Sequence, residues 1–267
     1  MDKENRKALL TVSFGTSVNA SGHNPAEYIE QDLRSAFPDR RSFRAWTSRV
    51  IRKKMAEKGI AIPSVTEAML SLEQEGIRDV LVQPTHMLDG EEYQRIADEL
   101  RSFTGRFESI SLGAPLLYDR RDAEELCALL EKIYPQIESG ILVLMGHGSS
   151  AMTFPAYEIM QEQFAADGRS DICIGTVESE PGFGPVADRI KELRPRIAIL
   201  APLLVSAGGH VLNDMASDSG DSWKNRIASL GPEVVCRMNG LGEYEGVRAM
   251  YVRHAKEAQE LPAEVQR

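Results

Sequence analysis

The sequence is short of cysteine, aromatic residues, basic charge and long apolar runs, and each shortage removes a class of protein. Three cysteines in 267 residues, Cys127, Cys173 and Cys236, stand far apart with no CxxC pair. That excludes a zinc knot or a disulfide framework as the organising device. All three read as small buried apolar side chains. No apolar run approaches the roughly 20 residues of a membrane span, so no membrane is expected as a partner. The run after Met1, Asp2, Lys3, Glu4, Asn5, Arg6 and Lys7 is strand-length and soon reaches Gly15, too short for a secretory signal. The cytoplasm is therefore the expected location. Aromatics are 6% of the chain, and glycine and proline are ordinary in number, without the bias of collagen, a coiled coil or disorder. Thirty-one Lys and Arg against 40 Asp and Glu leave a formal charge of −9. A general nucleic-acid binder needs a basic face to displace counterions, so no nucleic acid is expected as a partner. An anionic small molecule remains compatible, because a local basic patch can act inside an acidic protein. Several signatures are also missing: no GxGxxG after a strand, no GxxxxGK[ST] and no GxSxG.

What is present is an alternation. Hydrophobic residues make up 42%, enough for a proper core, and the length suits two α/β units of ordinary size. Strand-like apolar runs occupy residues 8–14, 79–83, 141–145, 172–177, 197–201 and 234–238, with weaker ones at 42–46 and 108–112. Helical spacing lies between them. Continuous apolar strands separated by helices predict an α/β fold with parallel sheets covered on both faces. Helix starts are explicit. Asn24 precedes Pro25 with Glu27 following, Ser64 and Glu67 repeat the device after Pro63, and Asp221 can cap a helix that Gly231 ends.

The chain also carries a weak internal repeat. The strand at 8–14 runs into Gly15, Thr16 and Ser17, and the strand at 141–145 runs into Gly146, His147, Gly148 and Ser149. Later in each half a strand meets a proline, Pro84 and Pro202. Eight residues past these stand Glu92 and His210. Two similar halves make Thr16 the counterpart of His147, and Glu92 that of His210. All four lie just beyond strand carboxyl ends, where open α/β sheets bind ligands. The predicted domains are residues 1–138 and 139–267, with the last helix expected to pack back on the first.

Five histidines are present. His147 sits between two glycines after the most apolar strand of the second half. A histidine there serves as ligand or base, or as a plain turn residue; its exposed place at a strand tip favours chemistry. His210 follows Ala207, Gly208 and Gly209 and is the parallel case. Glu178 ends an otherwise apolar strand, which puts its carboxylate at a rim. Glu91 and Glu92 open a helix, where the helix dipole alone also favours acids. Two imidazoles with one or two carboxylates and no thiolate suit a divalent transition metal. His86, near the rim of the first half, faces substrate or packs in support. His23 and His254 read as structural or solvated. Arg44, Arg49, Arg52, Lys53 and Lys54 concentrate positive charge. Lys53 and Lys54 read as a solvated helix face, whereas Arg44, beside Trp46, is the better partner for a carboxylate.

These blocks together resemble the CbiK-type sirohydrochlorin cobaltochelatases of anaerobic cobalamin synthesis, within the class II chelatases. The resemblance rests on Leu10-Thr-Val-Ser-Phe-Gly-Thr-Ser17, Phe43-Arg-Ala-Trp-Thr-Ser48 with Ile51-Arg-Lys53, and Gly90-Glu-Glu-Tyr93. It continues through Met145-Gly-His-Gly148, Val177-Glu-Ser179, and Asn213-Asp-Met-Ala216 with Asp221-Ser-Trp-Lys224. Single blocks are weak, but the ordered set spans nearly the whole chain. The resemblance implies two similar α/β domains with the active site in an interdomain cleft, as in ferrochelatases. It implies His147, His210, Glu178 and Glu92 at the metal, with His147 also the proton acceptor and the stage at which each acid binds left open; the chemistry of the exchange admits Glu178 as the other route for protons. Phe14, Thr16, Arg44 and His86 are the expected substrate contacts. Co2+ enters as a substrate, with sirohydrochlorin or precorrin-2 as the ring and no organic cofactor. The sequence leaves open Fe2+ or Ni2+ as the metal, and assembly into a homo-oligomer. A tetrapyrrole or metal carrier without turnover is the alternative from another class. A metal-dependent hydrolase ranks last, for want of a recognised nucleophile.

Overall fold

The structure, a computed structural model, describes residues 6–16, 24–149 and 153–262. Ser17 and His23 lie outside the described residues. In chain order the elements are β1 (Lys7–Ser13), α1 (Pro25–Ala36), β2 (Arg41–Trp46), α2 (Arg49–Ala56), α3 (Val65–Gln74), β3 (Asp79–Pro84), α4 (Glu91–Arg101), β4 (Ser109–Leu112), α5 (Arg120–Ile133), β5 (Gly140–Gly146), α6 (Ala156–Ala166), β6 (Ile172–Thr176), α7 (Gly184–Leu193), β7 (Ile197–Leu203), α8 (Trp223–Ala228), β8 (Glu233–Cys236), α9 (Glu245–Lys256) and β9 (Gln259–Glu260). All eight anticipated runs are strands. No helix among the described residues is long and apolar enough to cross a membrane.

The chain divides into two compact units. One is built from Met1–Ser17, Ala26–Tyr118 and Arg248–Arg267, the other from Val18–Pro25 and Asp119–Val247. The first holds a sheet in the order β2-β1-β3-β4-β9 and the second a sheet in the order β6-β5-β7-β8. β9 is antiparallel to β4, and every other pairing is parallel. Leaving β9 aside, both sheets follow one doubly wound order: second strand, first, third, fourth. Such an order has a switch point at its first strand, where two crossovers diverge and a ligand is received at the carboxyl ends.

Burial follows from that arrangement. Every residue of β1 from Ala8 on is buried, and so is every residue of β5 after Gly140. Helices cover both faces, so these strands read as apolar throughout rather than alternating. The first core joins Leu10, Val12, Val80 and Val82 to Met69, Leu72, Ile96 and Leu100 of α3 and α4. The second joins Ile141, Val143, Met145 and Leu200 to Val186, Ile190, Trp223 and Ile227 of α7 and α8. Truncating the fully buried Leu10 or Leu144 to alanine costs about 2–5 kcal/mol by cavity formation.

Two helix caps differ from expectation. Ser64 and Glu67 form the anticipated capping box. Asn24, however, leaves its buried Oδ1 without a partner at the start of α1. The cap of α8 is Ser222, not Asp221: Ser222 Oγ accepts from the Asn225 amide at 3.3 Å. Asp221 is exposed, one residue too early to reach the third amide of the helix.

Candidate metal centre

The two sheets can be matched residue by residue. In the first unit Val12 pairs with Pro84, and in the second Met145 pairs with Pro202. Ser13 pairs with Trp46 and Gly146 with Thr176. Beyond the strands the ladder continues in both. Ser48 N donates to Phe14 O at 3.1 Å, and Glu178 N donates to His147 O at 2.9 Å. The next residues, Gly15 and Gly148, take the left-handed conformation at φ +95° and +88°. The counterpart of His147 is therefore Phe14, not Thr16. Matching the first glycine after each strand slips the halves by two residues, because a turn glycine carries no register.

Gly148 fixes the His147 tip. A Cβ there would stand 2.4 Å from Ser179 Oγ and 3.0 Å from Ser179 N, so glycine alone lets the Glu178 loop pass. His147 Nδ1–H donates to Gly148 O at 2.9 Å, because a carbonyl can only accept. That leaves the Nε2 lone pair free.

Glu178 stands on the loop after β6, and Thr176 latches that loop. Its Oγ1 donates to Ser179 O at 2.6 Å and accepts from Gly182 N at 3.1 Å. Phe183, at the far end of the loop, packs edge-on against Trp223 and lies 3.7 Å beneath the Arg226 guanidinium. His210 precedes a single π-helical turn, Val211–Met215, whose two end residues are fully buried. Asp214 on that turn accepts from His210 Nδ1–H at 2.7 Å. The turn's core anchors and this bond together direct His210 Nε2 outward.

The result is one cluster. His147 Nε2 lies 3.6 Å and His210 Nε2 lies 3.9 Å from the same Glu178 Oε1. The imidazoles meet edge to face, with ring centroids 4.7 Å apart. Among the described residues this is the group of three whose ligand atoms all lie within 4.8 Å of one another. The separations exceed a hydrogen bond. They fit donors sharing one ion, since bonds of about 2.0–2.2 Å hold neighbouring ligand atoms roughly 3–4 Å apart. Three protein donors leave coordination positions open, and each side chain keeps a third or more of its surface exposed.

The other anticipated residues belong to the first unit. Glu92, in the first turn of α4, pairs through Oε1 with Arg95 at 2.9 Å, while its Oε2 is buried without a partner. It is not part of the three-residue cluster. Part of His86 is open, yet both its ring nitrogens are buried and unpartnered. Burial pushes its pKa down to about 4, against the opposing pull of the Glu92 carboxylate. Arg44 is held by the buried Glu30 at 2.5 Å and stays 40% exposed. Burial raises the Glu30 pKa, and Arg44 opposes the rise. Phe14 is 50% exposed and Thr16 half-buried. Helix α2, which carries Arg49, Lys53 and Lys54, buries no residue, as a solvated face should. His254 is buried in α9. Asp214 and Thr176 are not among the residues that the sequence singles out. The signal for Asp214 was present, an acid four residues after a histidine on one helical face.

Twin doubly wound α/β units, one with an open two-histidine, one-carboxylate group at its strand tips, define a protein that handles a divalent metal ion. The comparisons fix the class. The family model Cobalt chelatase (CbiK) matches residues 7–260, and the chain belongs to that family. It is 36% identical to the sirohydrochlorin cobaltochelatase of Salmonella typhimurium, over 97% of this chain and 98% of that one. It is 27% identical to sirohydrochlorin cobaltochelatase CbiKC of Nitratidesulfovibrio vulgaris, over 93% and 89% of the two chains. Solved structures share the fold. SirB from Bacillus subtilis with Fe3+ has a TM-score of 0.60 at 14% identity, covering 94% of this chain and 95% of that one. CbiX, described as the terminal enzyme of siroheme biosynthesis in denitrifying bacteria, has a TM-score of 0.53 at 18% identity, covering 95% and 100%.

Proposed function

We propose that this cobalt chelatase inserts Co2+ into sirohydrochlorin, with His147, His210 and Glu178 receiving the ion. The observation that carries the assignment is the convergence of three ligand atoms within 4.8 Å at the carboxyl edge of the second sheet. Its support from relatives is the substrate named for the Salmonella typhimurium protein.

The reaction exchanges two pyrrole N–H protons for one divalent ion. The protein must hold Co2+ by exchangeable bonds, keep positions open for ring nitrogens and take up two protons. Neutral imidazole suits holding and proton uptake, but one nitrogen cannot hold metal and proton together. His147 and His210 therefore hold the ion first. As the ring nitrogens take it, their two protons leave through His147 or Glu178 and pass on to solvent. Glu92 is assigned as a second acidic metal ligand, and its unpartnered Oε2 is what recommends it. Phe14, Thr16, Arg44 and His86 are assigned to the macrocycle. Arg44 must then share its guanidinium between Glu30 and a peripheral carboxylate of the ring. The reaction is assigned to the cytoplasm, where separated thiols such as these stay reduced.

The test is steady-state metallation of sirohydrochlorin by the wild type, His147→Ala, His210→Ala and Glu178→Ala. Loss of turnover with an intact fold is the expected result. Wild-type rates in the histidine variants would overturn the site. A reaction that stops at one equivalent of product would overturn turnover in favour of a carrier.

A further inference from the structure

We propose that Asp214 is a positioning residue of the metal site, and that it makes His210 the stronger of the two imidazole ligands. The inference rests on the reading of His210 as a ligand of Co2+.

The two histidines are presented alike but backed differently. Each spends Nδ1–H on an acceptor, which leaves Nε2 as the ligand atom. For His147 the acceptor is a neutral carbonyl, Gly148 O at 2.9 Å. For His210 it is a carboxylate, Asp214 Oδ2 at 2.7 Å. A carboxylate accepts only, so it fixes the Nδ1–H tautomer and holds the ring plane. Its charge also raises the electron density that Nε2 offers a metal. A carbonyl fixes the tautomer with much less charge.

Asp214 can do this because its own place is fixed. It sits four residues after His210 on the π-helical turn, between Val211 and Met215, both fully buried. Those core side chains hold the backbone of the turn, and with it the Cα of Asp214, in place beneath the bond to His210. The consequence is a division of labour. His210, backed by charge, retains the ion, while His147, backed by a dipole, is the bond that lets go as the ring takes the metal.

The experiment compares Asp214→Asn, Asp214→Ala and His210→Ala with the wild type. Three quantities are read: Co2+ affinity of the metal-free protein by its visible absorption, KM for Co2+ against kcat, and the His210 tautomer by ring 15N shifts. Thermal unfolding reports on the fold. Asp214→Ala is expected to weaken Co2+ binding and raise its KM by about 10–100-fold, with kcat at saturating Co2+ within about threefold. Its His210 ring should become a mixture of tautomers. Asp214→Asn keeps the size and an acceptor oxygen but loses the charge. It should fall between the two while unfolding like the wild type. Wild-type Co2+ affinity and a pure Nδ1–H tautomer in Asp214→Ala would overturn the proposal. So would a fall in kcat and thermal stability with KM for Co2+ unchanged, the mark of a purely structural role. Wild-type Co2+ binding in His210→Ala would instead overturn the ligand reading beneath it.

Discussion

The two units share a scaffold and differ at its tips. Both order their strands second, first, third, fourth, and in both the first strand is followed by one tip residue and then a left-handed glycine. In the first unit that tip is Phe14, tied to Ser48. In the second it is His147, tied to Glu178 by the same backbone bond. Phe14 is 50% exposed and the His147 side chain 44% exposed. The fold presents the tip residue to solvent whether it is apolar or polar, so position comes from the sheet and chemistry from the side chain placed there. The candidate metal site then needs few changes. The second unit has histidine for phenylalanine, glutamate for serine, and a π-helical turn where the first unit begins helix α4.

The comparison breaks most visibly at the tips themselves. His147→Phe, which writes the first unit's residue into the second, is expected to lower Co2+ insertion more than about 100-fold, since losing a ligand exceeds losing its support. Phe14→Ala is expected to raise KM for the ring by less than about tenfold and leave Co2+ affinity alone. Equal effects of the two variants on Co2+ binding would show that the units do not divide the work.

The paired glycines sharpen the contrast. A Cβ on Gly15 would stand 2.7 Å from the ring of Trp46, which is only 6% exposed and cannot retreat. Left-handed strain of about 1–2 kcal/mol adds to overpacking of about 1–3 kcal/mol. Gly15→Ala should therefore be the more destabilising variant in denaturant. A Cβ on Gly148 meets mainly Ser179 Oγ, which can rotate, though Ser179 N is also close. Gly148→Ala should lose less stability but more Co2+ affinity, because the loop that shifts carries Glu178. The reverse ranking in either assay would contradict the register drawn between the units.

These cases also show what was legible beforehand. Strands β1, β3, β5, β6 and β7 could be read because sheets covered on both faces demand apolar runs, whereas β2 and β4 mix polar residues into the run and show only a weaker signal. β9 could not, since two exposed residues carry no pattern. The repeat was legible at Pro84 and Pro202, which sit in register. It slipped at the glycine turns, where only hydrogen bonding beyond the strand ends identifies Phe14 as the counterpart of His147. His147, Glu178 and His210 stood out as polar residues directly after buried segments. Asp214 did not, since an acid on an exposed turn is commonplace until its histidine is seen to face it.

A third contrast is two residues past the matched prolines, where the first unit has His86 and the second Leu204. His86 has a pKa near 4, below its usual 6.5, because burial disfavours the imidazolium. As pH falls below about 6.5, the unfolded chain takes up a proton that the folded chain refuses. Stability is thus full above 6.5 and is lost toward pH 4, by at most roughly 3 kcal/mol. His86→Leu should flatten that part of the profile in urea unfolding. An unchanged slope would mean that His86 is protonated in the fold and partnered by Glu92.

The smallest expected effect lies at Thr176, the counterpart of Trp46 at the end of the second strand. Trp46 holds its loop by bulk, packed under Gly15, whereas Thr176 holds the Glu178 loop by two hydrogen bonds. Thr176→Val keeps shape and burial and removes both bonds. Each is worth about 1 kcal/mol net. Gly182 N and Ser179 O lie on a surface loop where water can replace part of the loss, so about 1–2 kcal/mol of destabilisation is expected. The loop would then sample positions that carry Glu178 away from the imidazoles. Co2+ affinity should fall a few-fold while ring KM stays constant. A Thr176→Val protein that loses stability but binds Co2+ as the wild type does would show that the latch serves the fold alone, and that Glu178 is held by its backbone bond to His147.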